Sequence, residues 1–341
     1  MSLSRAARSA AGALCLVAVI GAANAQTRSE FAPSVVAAVP GSKDDVGAAI
    51  LVGRSGQLYK RVGENQWERD NVGGVAVDVL GLIKGKGRNL VAVGSYSPIF
   101  EFDGTVWSAK PLANRGRVRM SRGSKTNAFS VGRHVYVFKS GTPERLISAR
   151  RTISALWASS ANKIYVATVK GQLLRTNGQS WVTLTNPLPQ DDPIQELYGA
   201  PGVDLYGRSK VGVIVRVSNS GATVVPAEGD LTNLDIHVSG TGPKGELLFA
   251  GTVGEAETRK AVLLQSKKAG LSIREPLWTL AGKDRFSVII ADSKDQLLVS
   301  SRRGSVRIRT KDGQWVEGKV SGKVPAGASR SFDSSTPARS R

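Results

Sequence analysis

Short apolar runs separated by turn residues recur along this chain, and one stretch shows the unit plainly. Ile153-Ser-Ala-Leu-Trp157, Lys163-Ile-Tyr-Val-Ala-Thr168, Gly171-Gln-Leu-Leu-Arg-Thr176 and Ser180-Trp-Val-Thr-Leu184 follow one another, with Asn177-Gly178 between the last two. Runs this short, rich in β-branched and aromatic residues and bounded by Gly, Asn and Ser, read as strands. The second run recurs as an apolar stretch ending on a small residue. Its copies are Ile50-Leu-Val-Gly53, Val91-Ala-Val-Gly94, Phe129-Ser-Val-Gly132, Tyr165-Val-Ala-Thr168, Leu205-Tyr-Gly207, Leu248-Phe-Ala-Gly251 and Leu298-Val-Ser300. From Gly53 to Ser300 the steps are 41, 38, 36, 39, 44 and 49 residues, so seven copies fill most of the chain. Self-similarity at that period marks a repeat architecture.

The fourth run has its own mark, a turn followed by tryptophan: Asp103-Gly104-Thr-Val-Trp107, Asn177-Gly178-Gln-Ser-Trp181 and Asp312-Gly313-Gln-Trp315, with a degenerate Glu64-Asn65-Gln66-Trp67. Asp-Gly and Asn-Gly favour the type I′ turn, which needs positive φ at both central residues and matches the twist of a hairpin. Each such turn therefore joins a third strand to a fourth, and the tryptophan beyond it is expected to pack at the edge of the repeat's core.

Four antiparallel strands repeated seven times predict an all-β fold, a seven-bladed β-propeller of four-stranded antiparallel blades, whose radial closure protects the sheet edges. The ring is placed at residues 26–322, with Ser34–Val39 as its first inner strand, a short third blade at 117–151, and a sixth blade at 233–284 carrying an insertion at Thr252–Lys260. Residues 1–25 read as a signal peptide: Arg5 and Arg8, an apolar stretch Ala10–Ile20, and Ala23-Asn24-Ala25 as the cleavage site. Residues 323–341, rich in Lys, Ser, Ala and Arg, are expected to be a disordered basic tail.

Composition narrows the function classes. Aromatic residues are 6% and Gly is 38 of 341 residues, which argues against a helical bundle. One cysteine, Cys15, and two histidines leave little for a metal centre or thiol chemistry, so no cofactor is expected. There are 47 Lys+Arg against 27 Asp+Glu, a net charge of +20. Loss of the signal peptide removes Arg5 and Arg8 and no acidic residue, leaving the mature chain at +18. Such a charge suits an anionic partner. Export argues against nucleic acid, and no later segment is long and apolar enough for a transmembrane span, so the mature chain is expected in the periplasm or outside the cell, as a monomer.

At the Val-Gly-x-x-Gly and Asp-Gly-x-x-Trp elements the chain resembles the bacterial neuraminidase-type (BNR) repeat propellers and, within them, the photosystem II assembly and stability factor-like group. Gly53-Arg-Ser-Gly56 with Trp67, and Val93-Gly94 with Asp103-Gly104 and Trp107, carry the resemblance. It implies a non-catalytic, exported propeller that holds a membrane-protein partner through a patch of arginines. No copy has the full sialidase Asp-box, Ser-x-Asp-x-Gly-x-Thr-Trp; Thr310-Lys-Asp-Gly-Gln-Trp315 is shorter. That departure speaks against sialidase activity.

A propeller gathers its second-to-third turns and its connections between blades on one face around the central channel. The second-to-third turns here carry Arg54, Arg133, Lys170, Arg208 with Lys210, and Arg302 with Arg303. The connections add Arg115, Arg117, Arg150, Arg151, Lys283 and Arg285. Converging cations focus field and attract carboxylates, phosphates or sulfates, with Arg giving bidentate geometry. The candidate partner-binding set is Arg54, Arg117, Arg133, Arg151, Lys170, Arg208, Lys210, Arg302 and Arg303. The plain alternative is that a chain so rich in cations carries them in any exposed turn. Arg115, Arg117 and Arg119 alternate with Gly116, Val118 and Met120 as on a strand, whose arginines would reach the channel if it is the inner one; Arg307 and Arg309 around Ile308 read as structural.

Catalysis would need a carboxylate pair, for which Asp191-Asp192 and Glu228 with Asp230 are candidates. Asp235 and His237 lie two apart and point the same way from a strand, but Gly207-Arg-Ser-Lys-Val211 lacks the closing glycine of a nucleophile elbow. A structural role for His237 is the better reading. His134 sits in a turn, and Gly85-Lys86-Gly87 is too short for a phosphate loop. The expected function is a non-enzymatic binding platform or assembly factor for an acidic segment of a cell-envelope protein or membrane complex. The alternative is a carbohydrate-active enzyme or lectin for anionic glycans.

Overall fold

The computed structural model describes residues 35–39 and 50–321, apart from 54–56, 64, 70–78, 85–89, 95–98, 104–106, 111, 122–127, 140–141, 201–204, 227–228, 256–257, 268–269, 283 and 292–295. The signal-peptide segment 1–25, the tail 323–341, Arg54, Lys283, Glu228 and Gly85-Lys86-Gly87 lie outside the described residues.

Strands follow one another in chain order within each sheet. The first sheet contains β1 (Val35–Val39), β2 (Ile50–Gly53), β3 (Leu58–Gly63) and β4 (Gln66–Arg69), and the second contains β5 (Val79–Lys84), β6 (Leu90–Gly94), β7 (Ile99–Phe102) and β8 (Trp107–Lys110). The third contains β9 (Val118–Met120), β10 (Ala128–Val131), β11 (His134–Lys139) and β12 (Thr142–Ser148); the fourth β13 (Ile153–Ser160), β14 (Lys163–Thr168), β15 (Leu173–Thr176) and β16 (Trp181–Leu184). The fifth contains β17 (Ile194–Tyr198), β18 (Leu205–Ser209), β19 (Ile214–Val217) and β20 (Ala222–Val224), and the sixth β21 (Asp235–Thr241), β22 (Leu247–Val253), β23 (Lys260–Lys267) and β24 (Gly270–Pro276). The last contains β25 (Phe286–Ala291), β26 (Leu297–Ser301), β27 (Val306–Arg309) and β28 (Trp315–Glu317), after which β29 (Lys319–Ser321) returns to the first sheet. The chain is an all-β propeller of four-stranded antiparallel blades.

Six sheets have four strands where seven were expected. The first has five, because β29 adds in parallel to the outer edge of β4, pairing Lys319 with Gln66 and Ser321 with Glu68. Lys319 N–H donates to Asn65 O at 2.8 Å, and Gly318 passes so close to Trp67 that a methyl at its Cα would lie 2.6 Å from the indole. The first and last described strands thus belong to one sheet.

The recurring apolar runs are the second strands. Every described position of β6, β10, β22 and β26 is buried. A strand in the middle of a blade has a neighbouring sheet over each face, so it reads as a continuous apolar run and not as an alternation. The cores lie between sheets: Trp157, Tyr165 and Leu173 pack with Ile194, Leu205 and Val215, and Tyr198 and Tyr206 with Ile236, Phe249 and Leu264. Tyr59 and Trp67 of the first sheet pack with Leu298, Val306 and Ile308 of the last. The small residue at the end of the run leaves room for the inner strand: a Cβ on Gly251 would stand 2.3 Å from the carbonyl oxygen of Asp235.

The Asn-Gly turn does join third to fourth strand, but not as type I′. Thr176 pairs with Trp181, leaving four residues in the turn, and of these Gly178 has positive φ while Asn177 does not. Asn177 Oδ1 instead accepts the N–H groups of Gln179 at 3.0 Å and Ser180 at 3.1 Å, so its side chain closes the turn. The tryptophans that follow pack between sheets: Trp181 Nε1 donates to Ser148 O at 3.0 Å, and Trp315 lies 5.8 Å from Trp278, ring to ring. The insertion expected at Thr252–Lys260 is the connection between β22 and β23: Thr252 and Val253 end the one and Lys260 opens the other, with Val253 paired to Lys260.

Candidate binding face and channel mouth

The inner strands of the fourth to seventh sheets each carry a register shift near their start, between Ile153 and Ala155, Ile194 and Glu196, Ile236 and Val238, and Phe286 and Val288. The bulged residues are Ser154, Gln195, His237 and Ser287, and a bulge re-aims its side chain. Two of them reach the start of the next inner strand. Ser154 Oγ donates to Ile194 O at 2.6 Å, and His237 Nδ1 accepts the N–H of Phe286 at 3.2 Å.

The second-to-third turns sit at this same end. In the third to seventh sheets each is bonded to the segment entering its own inner strand: Gly132 N–H to Arg117 O at 3.1 Å, Val169 N–H to Thr152 O at 3.0 Å, Lys210 N–H to Pro193 O at 3.0 Å, Gly254 N–H to Thr232 O at 2.8 Å and Arg302 N–H to Arg285 O at 2.8 Å. Arg133, Lys170, Lys210, Arg302 and Arg303 project from these turns, and Arg117 and Arg151 from the entering segments; all seven are exposed. Two of the turns are braced by aspartates, Asp192 Oδ1 accepting the Val211 N–H at 3.0 Å and Asp284 Oδ1 the Arg303 N–H at 3.1 Å.

Arg208 departs from the expected set of solvent-facing cations. Its side chain is only 15% exposed, and it turns across to the next sheet, with Nε 3.2 Å and Nη2 3.1 Å from Asp235 Oδ1 and Nη1 3.7 Å from Glu196 Oε2. Arg285 Nη2 meets the same carboxylate, 2.9 Å from Oδ1 and 2.8 Å from Oδ2. Glu196 also accepts the hydroxyl of Tyr198. Burial pushes the Asp235 carboxyl up, but the hydrogen bond from His237 and the charges of Arg285 and Arg208 outweigh it and bring it down to about 2. Arg208 is therefore part of a charge relay joining three sheets.

The catalytic candidates separate. Asp192 is buried under its turn and Asp191 is exposed beside it, while Asp230 stands exposed on a short 3-10 helix, Gly229–Leu231. His237 is buried with both ring nitrogens engaged: Nδ1 accepts from Phe286, so Nε2 carries the proton and faces Asp235 Oδ2 at 3.5 Å. His134 Nδ1 lies 2.7 Å from Ser148 Oγ. Among the described residues no group of His, Cys, Asp and Glu is arranged to hold a metal ion. Arg307 lies over the Trp278 ring at 5.1 Å and Arg309 Nε donates to Glu275 Oε1 at 2.7 Å, both within the blades.

Arg119 proves to be on an inner strand, since β9 is the edge of its sheet nearest the fourth. Its Nε donates to Ser154 O at 2.6 Å, and burial and then the charge of Arg117 lower its proton affinity, while Glu196 raises it. It borders a cavity of about 110 Å³, open on one side and lined by residues of β5, β9, β13 and β17. Glu196 also lines this cavity and went unremarked in the sequence, where nothing distinguishes it from other surface acids. A larger cavity, about 560 Å³, lies between the second and third sheets beside the Glu101–Lys110 ion pair, away from the channel.

No protein-family model matches the chain, and no curated protein is similar to it in sequence. Solved structures do share its fold. The WD40 β-propeller domain of Doa1 is 17% identical, with 82% of this chain and 94% of that one covered and a TM-score of 0.58. YCF48 bound to a D1 peptide is 15% identical, with coverage of 82% and 92% and a TM-score of 0.56. A catalytically inactive virginiamycin B lyase from Staphylococcus aureus, with quinupristin, is 11% identical, with coverage of 82% and 95% and a TM-score of 0.58. At these identities the likeness establishes the β-propeller fold, which hosts binding proteins and enzymes alike.

Proposed function

We propose that this protein is a non-catalytic propeller that serves as a binding platform or assembly factor in the cell envelope, holding an acidic segment of a membrane protein on its basic face. The observation that carries this reading is the set of seven exposed cations, Arg117, Arg133, Arg151, Lys170, Lys210, Arg302 and Arg303, on turns and entering segments bonded to one another at one end of the sheets. A face braced in this way loses little conformational freedom on binding. That a propeller of this shape has been solved with a peptide bound, YCF48 with D1 peptide, is in keeping with the same mode. In this reading the five-stranded sheet completes a seven-bladed ring of the BNR type, residues 1–25 direct export, and the mature chain works as a monomer in the periplasm or beyond it.

The test is capture from a native envelope extract by the full chain, beside a variant with Arg133, Lys170, Lys210 and Arg303 changed to Glu. Loss of one specific membrane protein from the variant is the expected result. Equal capture by both forms would remove the basic face from the reading and favour an uncharged surface or a glycan ligand.

A further inference from the structure

The cavity at the channel mouth is a site in its own right. Its walls are in part apolar, with Val118, Met120, Leu156 and Leu197 among them, and its polar residues are Arg119, Gln195, Glu196 and Tyr198. At about 110 Å³ it has room for several waters or for one small anion, far too little for a folded partner. The Arg119 guanidinium is anchored by its Nε on the carbonyl of Ser154, which fixes the planar fork, and among the described residues no carboxylate lies within ion-pair distance of its Nη edge. Glu196 is committed elsewhere, to the Tyr198 hydroxyl and to Arg208. Among the described residues around the mouth, Arg208 and Arg285 hold Asp235 between them, Arg208 also meets Glu196, and the charge of Arg117 is felt at Arg119. The balance is a surplus of positive charge in a partly desolvated hollow, where an oxyanion is attracted more strongly than on the open face.

We propose that Arg119 and the hollow beneath it form an oxyanion subsite of carboxylate size inside the central channel, distinct from the outer basic face. The planar fork of Arg119 suits a two-oxygen acceptor, and the apolar walls suit the short carbon stem behind it. The anion is either a free small carboxylate or a carboxylate side chain presented by a bound segment. In the second case the site rests on the platform reading above.

The test titrates the full chain with sodium acetate by calorimetry, and separately with a Glu-rich peptide, using wild type, Arg119→Gln, Arg119→Lys and Glu196→Gln. Saturable acetate binding that weakens at least tenfold in Arg119→Gln, is partly kept in Arg119→Lys and tightens in Glu196→Gln supports a free-anion subsite. Peptide binding with the same dependence, without measurable acetate binding, supports the side-chain source. Glu196→Gln removes the opposing charge without touching the Ser154 anchor, so it reads the site even if Arg119→Gln folds poorly. Binding of both probes that is indifferent to Arg119 and Glu196, or binding of neither, overturns the proposal. Glu substitutions at Arg133, Lys170 and Lys210 abolish partner capture while sparing acetate binding if both readings hold, so the two fail separately.

Discussion

His237 accepts the backbone N–H of Phe286 through Nδ1 at 3.2 Å, a bond from the bulge of one inner strand to the first residue of the next. Ser154 makes the equivalent reach, donating its hydroxyl to Ile194 O at 2.6 Å. A buried histidine two residues from an aspartate, which on paper invites a catalytic reading, is here a fastener between blades.

Replacing His237 by Asn keeps an oxygen acceptor near Nδ1 and is expected to cost less than replacing it by Ala. The Ala form leaves the Phe286 N–H buried without a partner, a loss of about 1–3 kcal/mol. Urea unfolding of the two variants checks this ordering; an Asn variant as unstable as the Ala one would mean that ring packing against Phe286, and not the hydrogen bond, matters.

Asp235 neutralised to Asn leaves Arg208 and Arg285 facing each other across an uncharged amide. The carboxylate is 28% exposed, so solvent screens part of the effect, and a destabilisation of about 1–3 kcal/mol is expected. A double-mutant cycle with Arg285→Gln should show clear non-additivity, because the two residues share one contact.

The same aspartate sets a pH dependence. Its carboxyl lies at about 2 in the folded chain against an ordinary 3.8, so the unfolded state binds the proton first as acid is added. The contribution is fully present above roughly pH 5 and declines as pH falls through 4 toward 2. The stability gap between wild type and Asp235→Asn should therefore be constant near neutrality and close in that acid window, as thermal melts at a series of pH values would show.

Gly251→Ala places a methyl 2.3 Å from the Asp235 carbonyl, with backbone on the far side that cannot yield cheaply. Gly245, at φ +79 with open space around its Cα, meets only backbone strain when changed to Ala. The first substitution is expected to lower the melting temperature well beyond the second, whose cost is about 1 kcal/mol.

Ending the chain at Gly318 removes β29 and bares the outer edge of β4. Amide exchange at Lys319–Ser321 partners in the first sheet should quicken and the midpoint of thermal unfolding should fall, with the other sheets losing protection only at global unfolding.

The propeller was legible in the spacing alone. The second strands lie between sheets, so burial on both faces forces an apolar run, and the close pass of the inner strand forces a small residue at its end, as at Gly251 over Asp235. Local chemistry also placed the hairpins, though not their turn type, since Asn177 closes its turn with a side-chain oxygen that competes with the backbone alternative. What the tertiary structure decided is which charges are spent. Arg208, near the end of β18, and Lys210, in the turn that follows, stand two apart and look alike in sequence, yet one is folded inward onto Asp235, 27 residues on, while the other stays in solvent. A strand's period assigns a side chain to a face of its own sheet, but the partner of that side chain comes from a neighbouring blade. The same holds for the fifth strand of the first sheet, where residues 319–321 meet residues 66–68 because the first and last sheets are brought together. Local periodicity cannot encode such pairings, because it carries no record of which residues closure makes neighbours.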